Sequence, residues 1–368
     1  MPACARREIV RDGEPGIYHI WSRCVRRAYL LGKDPLTGKN HSHRRQWVIE
    51  RLELLVANFT IDVCFLALMS NHLHLVLRTT PRLVKRMGTW EVARRWLRVF
   101  PGKRVLDGKW IEPTEQQVRQ LAEDKEKIQK IRKRLSNISW FMAALSEYIA
   151  RRSNLEDDCT GRFFEGRFRC REVTDEGALL VCGLYVDLNP IRAGEVRTPE
   201  VASHCSASFR IQARAAQGKK PSGEPTADGW LAPLSLAAGQ LGDVPSQSGR
   251  RASDKGLLSM SLEEYLQLFD WCGRQIRGKQ QGTVPADLAA IVERIGVAPE
   301  ELLATVQEFP QRFRRLAGTV AQFTFNPGSG TGVSTRRAAR AACPAWLRHA
   351  AIPSVGAISY SRDGQRSG

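Results

Sequence analysis

Apolar and polar positions near the start of the chain predict a strand, a helix and a hairpin. Residues 16–23 are rich in β-branched and aromatic side chains, which favours a short strand. Residues 41–59 carry apolar side chains at helical spacing and predict an amphipathic helix. Residues 61–69 form a nearly continuous apolar run, short enough for a buried strand. Residues 72–78 follow as its hairpin partner, across a turn at Ser70 and Asn71.

In the middle of the chain, apolar residues recur first at helical spacing, then at every second position, and then at helical spacing again. Helices are predicted over residues 89–99, 115–135 and 138–152. The second of these is charged nearly all round, so we expect it to project into solvent. Residues 162–173 alternate like a strand. Thr174 has the chemistry of an N-cap for a helix that runs to about Asn189, where Pro190 would end it.

This order of elements predicts an α+β fold, with a ferredoxin-like antiparallel sheet and packed helices over residues 13–205. A charged helical insertion would interrupt it at about residues 84–135. Residues 206–256, rich in Gly, Ser, Pro, Gln and Ala, predict a linker or mobile loop. Residues 257–324 predict a small helical extension, and residues 325–368 predict a disordered basic tail.

Composition and charge narrow the classes of partner. The chain has 56 Lys and Arg against 38 Asp and Glu, a formal net charge of +18, which favours a polyanionic partner. A basic surface that is merely solvated, or a ribosome-associated role, is the alternative. No run approaches the roughly 20 consecutive apolar residues of a membrane span. Nine cysteines without a C-x-x-C pair favour free thiols in a reducing compartment. We therefore expect a cytoplasmic, nucleoid-associated protein with no signal peptide and no membrane partner.

His72 and His74, separated by one leucine, are the most informative feature of the chain. Alternate side chains of a strand share a face, so the two imidazoles would lie side by side. Two neutral imidazoles provide part of a metal site whose open positions an oxygen-rich substrate can fill. The alternative is a pair of structural histidines. His41 and His43 have the same spacing but fall at a predicted helix start, where such positions diverge, so we interpret them as solvent-exposed.

Tyr185 and Asn189 stand four residues apart in a predicted helix, so their side chains would share a face. A tyrosine can attack a phosphodiester that a divalent ion has polarised. The phosphotyrosine is similar in energy to the bond broken, so a DNA hydroxyl can attack it and rejoin strands without ATP. A tyrosine therefore favours strand transfer over hydrolysis. The alternatives are that Tyr185 is a core tyrosine with a buried hydroxyl and that Asn189 only caps its helix.

Three blocks of sequence, NHLHLV at 71–76, GRFFEGRF at 161–168 and YVDLNPIRAG at 185–194, together resemble the REP-associated tyrosine transposases. These are relatives of the single-strand insertion-sequence transposases within the HUH endonuclease group. The resemblance covers roughly residues 13–205. It implies that His72, His74 and Asn189 bind Mg²⁺ or Mn²⁺ and that Tyr185 is the nucleophile. It also implies a single-stranded DNA substrate with hairpin or palindromic repeats, cut through a covalent 5′-phosphotyrosine intermediate.

Two groups of arginines are candidates to contact DNA phosphates, although a solvated surface is an equal alternative. They are Arg23, Arg26 and Arg27 in one segment and Arg167, Arg169 and Arg171 in the other. Two further functions stay open: a catalytically silent protein that binds or regulates repeat DNA, and an RNA-binding ferredoxin-like module. The second would carry aromatic pairs on its central strands, where this chain has histidines. We expect a homodimer or a monomer.

Overall fold

The computed structural model describes residues 9–102, 105–106, 109–110, 112–217, 224–237, 239, 242–277, 284–313 and 316–318. Its strands are β1 (Gly16–Arg23), β2 (Ile61–Leu68), β3 (His72–Thr79), β4 (Val105–Leu106), β5 (Lys109–Trp110), β6 (Arg169–Val173) and β7 (Leu316–Ala317). Its helices are α1 (Arg44–Asn58), α2 (Pro81–Arg86), α3 (Thr89–Val99), α4 (Glu115–Glu123), α5 (Lys125–Leu135), α6 (Ile138–Glu156), α7 (Glu176–Asp187), α8 (Asn189–Arg192), α9 (Ser206–Ala215), α10 (Leu262–Arg277), α11 (Ala286–Arg294), α12 (Pro299–Gln307) and α13 (Phe309–Arg312). Short 3₁₀ turns occur at Val25–Arg27 and Pro199–Val201.

A five-stranded sheet with the order β2-β3-β1-β6-β7 organises the fold. The first four strands in that order pair antiparallel, and the two-residue β7 joins β6 in parallel. The strands β4 and β5 form a separate two-stranded sheet between α3 and α4. The predicted α+β class is therefore confirmed.

The register of the sheet decides which polar side chains meet. Directly opposed residues share a face, and alternate residues along one strand share it too. Arg23 lies opposite His72, and His19 lies opposite Arg171. Since His74 is two residues from His72, and His19 four residues from Arg23, all five side chains belong to one face. We call it the site face.

Helices cover both faces of the sheet. On the face opposite the site face, α1 and α6 pack over the fully buried Tyr18, Ile20 and Leu75. On the site face, α7 packs against β2 and β3, and α12 packs on α7. Helix α7 is therefore enclosed between the sheet and the C-terminal helices, which explains why it is apolar on all sides.

Local contacts fix the position of α7. Asp175 accepts a hydrogen bond from the Ala178 N–H (2.8 Å) and is the N-cap, one residue beyond the predicted Thr174. Gly183 allows a close approach to the sheet, because a Cβ there would lie 2.6 Å from the Phe65 ring. The helix ends at Asp187, earlier than predicted. Pro190 lies in the first turn of α8 and continues the chain in helical form, as proline can at that position.

The prediction of one projecting helix over residues 115–135 is wrong. The chain divides at Asp124, whose side chain accepts a hydrogen bond from the Lys127 N–H (2.9 Å) and caps α5. Val118, Ile128 and Leu135 are buried, and both α4 and α5 pack on α3. The insertion is therefore a packed helical layer.

The prediction of a linker or mobile loop over residues 206–256 is also wrong for its described part. Helix α9 occupies the first ten of these residues, and Trp230 is fully buried. Asp62 on β2 accepts hydrogen bonds from the N–H groups of Ala252 (3.1 Å) and Ser253 (2.9 Å). The described residues of the predicted extension, 257–324, contain α10 to α13. The predicted tail, 325–368, lies outside the described residues.

Two further findings concern the described residues alone. None of their helices combines the length and the apolar character needed to cross a membrane. Seven cysteines lie among them, all free thiols, and six of the seven are buried.

Candidate metal and nucleophile site

His72 and His74 lie side by side on the site face at the start of β3. Their ring centroids are 5.1 Å apart and the ring planes are nearly perpendicular, at 82°. Asn71 Oδ1 lies 2.7 Å from His72 Nδ1. A carbonyl oxygen only accepts, so His72 Nδ1 carries the proton and its Nε2 keeps a lone pair. Histidines that bind metals are commonly oriented in this way.

His19 on β1 is a third imidazole at this site, and the sequence analysis gave it no role. Its Nε2 lies 2.9 Å from His74 Nδ1, and the two rings lie edge to edge, with centroids 5.2 Å apart and planes 13° apart. Period two on β1 does place His19 on one face of its strand. The sequence, however, contains no signal for the register that brings this face beside His74.

Burial keeps these three imidazoles neutral. Burial, reinforced by the nearby Arg23, lowers the pKa of His72 to about 4. Burial also lowers the pKa of His19 and of His74 well below the ordinary value of 6.5. The neutral imidazole is the form that binds a metal.

Tyr185, on α7, lies against the imidazoles. Its ring centroid is 5.6 Å from that of His74 and 5.7 Å from that of His19, in edge contacts. The Phe309 ring stacks on its other side, at 5.0 Å. The guanidinium carbon of Arg192 lies 4.6 Å from the Tyr185 ring centroid. The side chain is only 6% exposed, so the tyrosine meets the histidines under a cover of C-terminal residues.

Asn189 has a capping contact. Its Nδ2 donates to the backbone oxygens of Tyr185 (2.9 Å) and Val186 (3.4 Å), which satisfies carbonyls at the end of α7. This contact accounts for the amide nitrogen. The role of that oxygen as a metal ligand stays a prediction.

The prediction that Arg171 contacts DNA phosphates is wrong, although Arg171 shares its face of β6 with Arg169. The side chain is buried, and its Nη1 donates to the backbone oxygens of Phe309 (3.2 Å) and Phe313. The guanidinium lies over the rings of Trp21 and Phe309. Arg171 therefore holds the C-terminal helices against the sheet.

The other five candidate arginines are exposed: Arg23, Arg26, Arg27, Arg167 and Arg169. Arg26 and Arg27 both have left-handed backbone conformations, with φ of 53° and 58°. Such conformations are costly for residues other than glycine. The turn is held by Asn71, whose Nδ2 donates to the Arg27 carbonyl (3.3 Å). Two exposed cations are thus fixed next to the loop that precedes His72.

The donor set on the site face suits a divalent cation. Neutral imidazole is a ligand for divalent transition metals, and an amide oxygen suits Mn²⁺ or Mg²⁺. A group of three potential ligands with metal-like spacing lies elsewhere among the described residues, at His41, Glu156 and Asp157. There the Arg44 guanidinium forms ion pairs with both carboxylates and takes the place that a metal ion would need.

No family model matches the chain, and no curated protein matches it. Among solved structures, a REP-associated tyrosine transposase bound to a REP hairpin is similar, with 10% sequence identity and a TM-score of 0.34. The match covers 60% of this chain and 89% of that one. A likeness of that size does not by itself establish a shared function.

Proposed function

We propose that this protein is a metal-dependent DNA strand-transferase or nickase, transposase-like, that acts on single-stranded hairpin DNA. Tyr185 is the nucleophile, and His72, His74 and Asn189 hold Mg²⁺ or Mn²⁺. The substrate class and the 5′-phosphotyrosine intermediate follow from the sequence resemblance.

The single observation that carries the proposal is the contact between Tyr185 and His74. These residues are far apart in the sequence, yet their ring centroids are 5.6 Å apart. A neutral imidazole that can bind a metal and a tyrosine in contact with it are the two parts that the proposed metal-assisted transfer uses. The sheet order, with α1 and α6 on one face, also fits the predicted ferredoxin-like sandwich of the HUH group.

With Tyr185 as the nucleophile, the bonds and protons of the proposed reaction balance. The Tyr185 oxygen attacks phosphorus and forms a P–O bond, while the bond from phosphorus to the DNA 3′ oxygen breaks. The phenol loses its proton and the leaving 3′ oxygen gains one, which gives a 5′-phosphotyrosine and a free 3′-hydroxyl. A second 3′-hydroxyl reverses these steps on the adduct. A divalent ion held by His72, His74 and Asn189 would neutralise charge at the phosphate, and Arg192 adds positive charge next to Tyr185.

A second candidate is a catalytically silent DNA-binding protein on the same fold. The observation that favours it is the cover on Tyr185, whose side chain is 6% exposed beneath Phe309. A tyrosine that stays covered cannot reach a phosphodiester, whereas the exposed arginines remain free to bind DNA.

Incubation with labelled single-stranded hairpin DNA and Mn²⁺ distinguishes the two candidates. We expect a protein–DNA adduct that resists SDS in the wild type and is absent from Tyr185→Phe, since phenylalanine has no attacking oxygen. His74→Gln should also lose the adduct. Tyr148→Phe is the matched control, because Tyr148 lies on α6 across the sheet and should leave the adduct unchanged.

DNA binding by gel shift completes this test. If the wild type and Tyr185→Phe bind the hairpin equally and neither forms an adduct, the silent binder is correct. If the wild type neither binds the hairpin nor forms an adduct, both candidates fail.

A further inference from the structure

His19 is a buried imidazole whose side chain has one polar contact within the described residues. It is 1% exposed on β1, and its Nε2 lies 2.9 Å from His74 Nδ1. Its other nitrogen, Nδ1, is buried and has no hydrogen-bond partner in the described part of the chain. A buried polar atom without a partner destabilises a fold. Burial of this imidazole therefore lowers the free energy of unfolding, which an apolar side chain would not do. Buried polar atoms without a partner often belong to functional groups.

The contact between the two histidines restricts the proton on His74. Each ring is neutral, so each carries one N–H and one lone pair. In one arrangement His19 donates from Nε2, His74 accepts at Nδ1, and the proton of His74 sits on Nε2. In the other arrangement His74 donates from Nδ1, His19 accepts, and His74 Nε2 keeps its lone pair.

Only the second arrangement lets His74 bind a metal. Its Nδ1 already faces His19, so Nε2 is the nitrogen left for an ion. His72 is in the equivalent state, because Asn71 accepts its Nδ1–H. Asn71 therefore lies next to Nδ1 of His72 in the same way that His19 lies next to Nδ1 of His74.

We infer that His19 is a positioning residue for the metal site: it accepts the Nδ1–H of His74 and so keeps the lone pair on His74 Nε2. This inference rests on the proposed function, because it takes His74 as a metal ligand. His19 touches no metal and no substrate in this role.

Two substitutions at His19 separate positioning from structure. Gln can accept the Nδ1–H through its side-chain oxygen, whereas Leu fills a similar volume and cannot accept. We measure Mn²⁺ binding by electron paramagnetic resonance in full-length protein without DNA. His19→Leu should weaken Mn²⁺ binding about 10- to 100-fold, and His19→Gln should stay within a few-fold of the wild type. The melting temperature of His19→Leu should stay close to that of the wild type, because the change removes the unpartnered Nδ1 of His19 but leaves His74 Nδ1 without its partner.

Two results of these binding and melting measurements would overturn the inference. One is wild-type Mn²⁺ affinity in His19→Leu. The other is an equal loss of affinity in both variants together with a lower melting temperature, which indicates a structural role only.

Long-range ¹H–¹⁵N spectra of the histidine rings give a readout that needs neither metal nor activity. We expect the His74 proton on Nδ1 in the wild type and in His19→Gln, and a shift toward Nε2 in His19→Leu. A wild-type proton on Nε2 contradicts the inference. If the wild type binds no Mn²⁺ while the proton sits on Nδ1, the proposed function fails and the hydrogen-bond assignment survives.

Discussion

Phe309 stacks on Tyr185, with ring centroids 5.0 Å apart and planes at 28°. Helix α13, which begins at Phe309, is held by Arg171 through the backbone oxygens of Phe309 and Phe313. Helix α12 is held by Arg192, whose Nη2 donates to the Gln307 oxygen (2.7 Å). The C-terminal helices therefore cover the proposed nucleophile, and Arg171 of β6 and Arg192 of α8 hold them in place.

Phe309→Ala should uncover Tyr185. Removing a fully buried phenylalanine costs about 3–5 kcal/mol of stability, and it also removes the ring that blocks one side of the tyrosine. At a temperature where the variant stays folded, we expect SDS-resistant adduct to form faster than in the wild type. Adduct yields at fixed times, with folding checked by circular dichroism, measure this.

Phe313→Ala is the matched control for that change. Phe313 is almost as buried and contacts Phe309, at 5.0 Å between ring centroids. It should lose a similar amount of stability with a smaller effect on the adduct. Equal acceleration in both variants would mean that loosening of the extension, and not the Phe309 ring, controls access to Tyr185.

Parts of this site follow from local sequence patterns and parts do not. Period two is enough to place His72 and His74 on one face, and helical spacing is enough for α7. The contact of Tyr185 with His74 was expected only through the family resemblance, because no local pattern specifies how α7 crosses the sheet. His19, Phe309 and the carbonyl contacts of Arg171 depend on strand register and on packing of the C-terminal helices. The packing of the described residues between 206 and 256 was missed because few apolar side chains at irregular spacing, such as Trp230 and Leu231, anchor them.

The buried histidines give stability a defined pH dependence. The pKa of His72 is about 4 in the folded chain, against 6.5 for an ordinary histidine, so the unfolded chain binds more protons between those values. Stability contributed by the neutral imidazole is complete above pH 6.5 and falls as pH drops toward 4. The slope for one such histidine is at most about 1.4 kcal/mol per pH unit, and His19 and His74 add to it in the same direction.

Urea unfolding at several pH values tests this assignment. His72→Asn should make the decline between pH 6.5 and 4 shallower, because one titrating group is lost. An unchanged decline would show that the His72 imidazole is protonated in the folded protein and is not the neutral ligand required here.

Arg169 and Arg171 lie on the same face of β6 but should respond differently to substitution. Arg169 is exposed, so Arg169→Ala should weaken binding to hairpin DNA and reduce the salt slope of binding by about one, with no loss of stability. Arg171→Ala leaves buried carbonyls without their charged donor and should lower stability by about 1.5–3 kcal/mol. Binding measured across a salt series, together with urea unfolding, separates the two effects. A reduced salt slope with unchanged stability in Arg171→Ala would restore Arg171 as a phosphate contact.

Gly183→Ala tests whether the seating of α7 on β2 sets the distance between Tyr185 and His74. A Cβ at position 183 would lie 2.6 Å from the buried Phe65 ring, two residues before Tyr185. Alanine gains about 1 kcal/mol of helix propensity over glycine, but overpacking a core costs about 1–3 kcal/mol. We therefore expect a net loss of stability and slower adduct formation, because α7 must move away from the sheet.

A rescue variant and a control variant show how that result should be interpreted. Phe65→Leu in the Gly183→Ala background removes the clashing ring edge and should recover part of the adduct rate, which a purely local helix effect would not allow. Gly166→Ala is the control, since a Cβ there meets nothing within 4 Å, and it should leave both stability and rate unchanged. If Gly183→Ala is as stable and as active as Gly166→Ala, the close approach of α7 to Phe65 does not control the position of Tyr185. The contact between Tyr185 and His74 would then have to depend on Phe309 and the C-terminal helices alone.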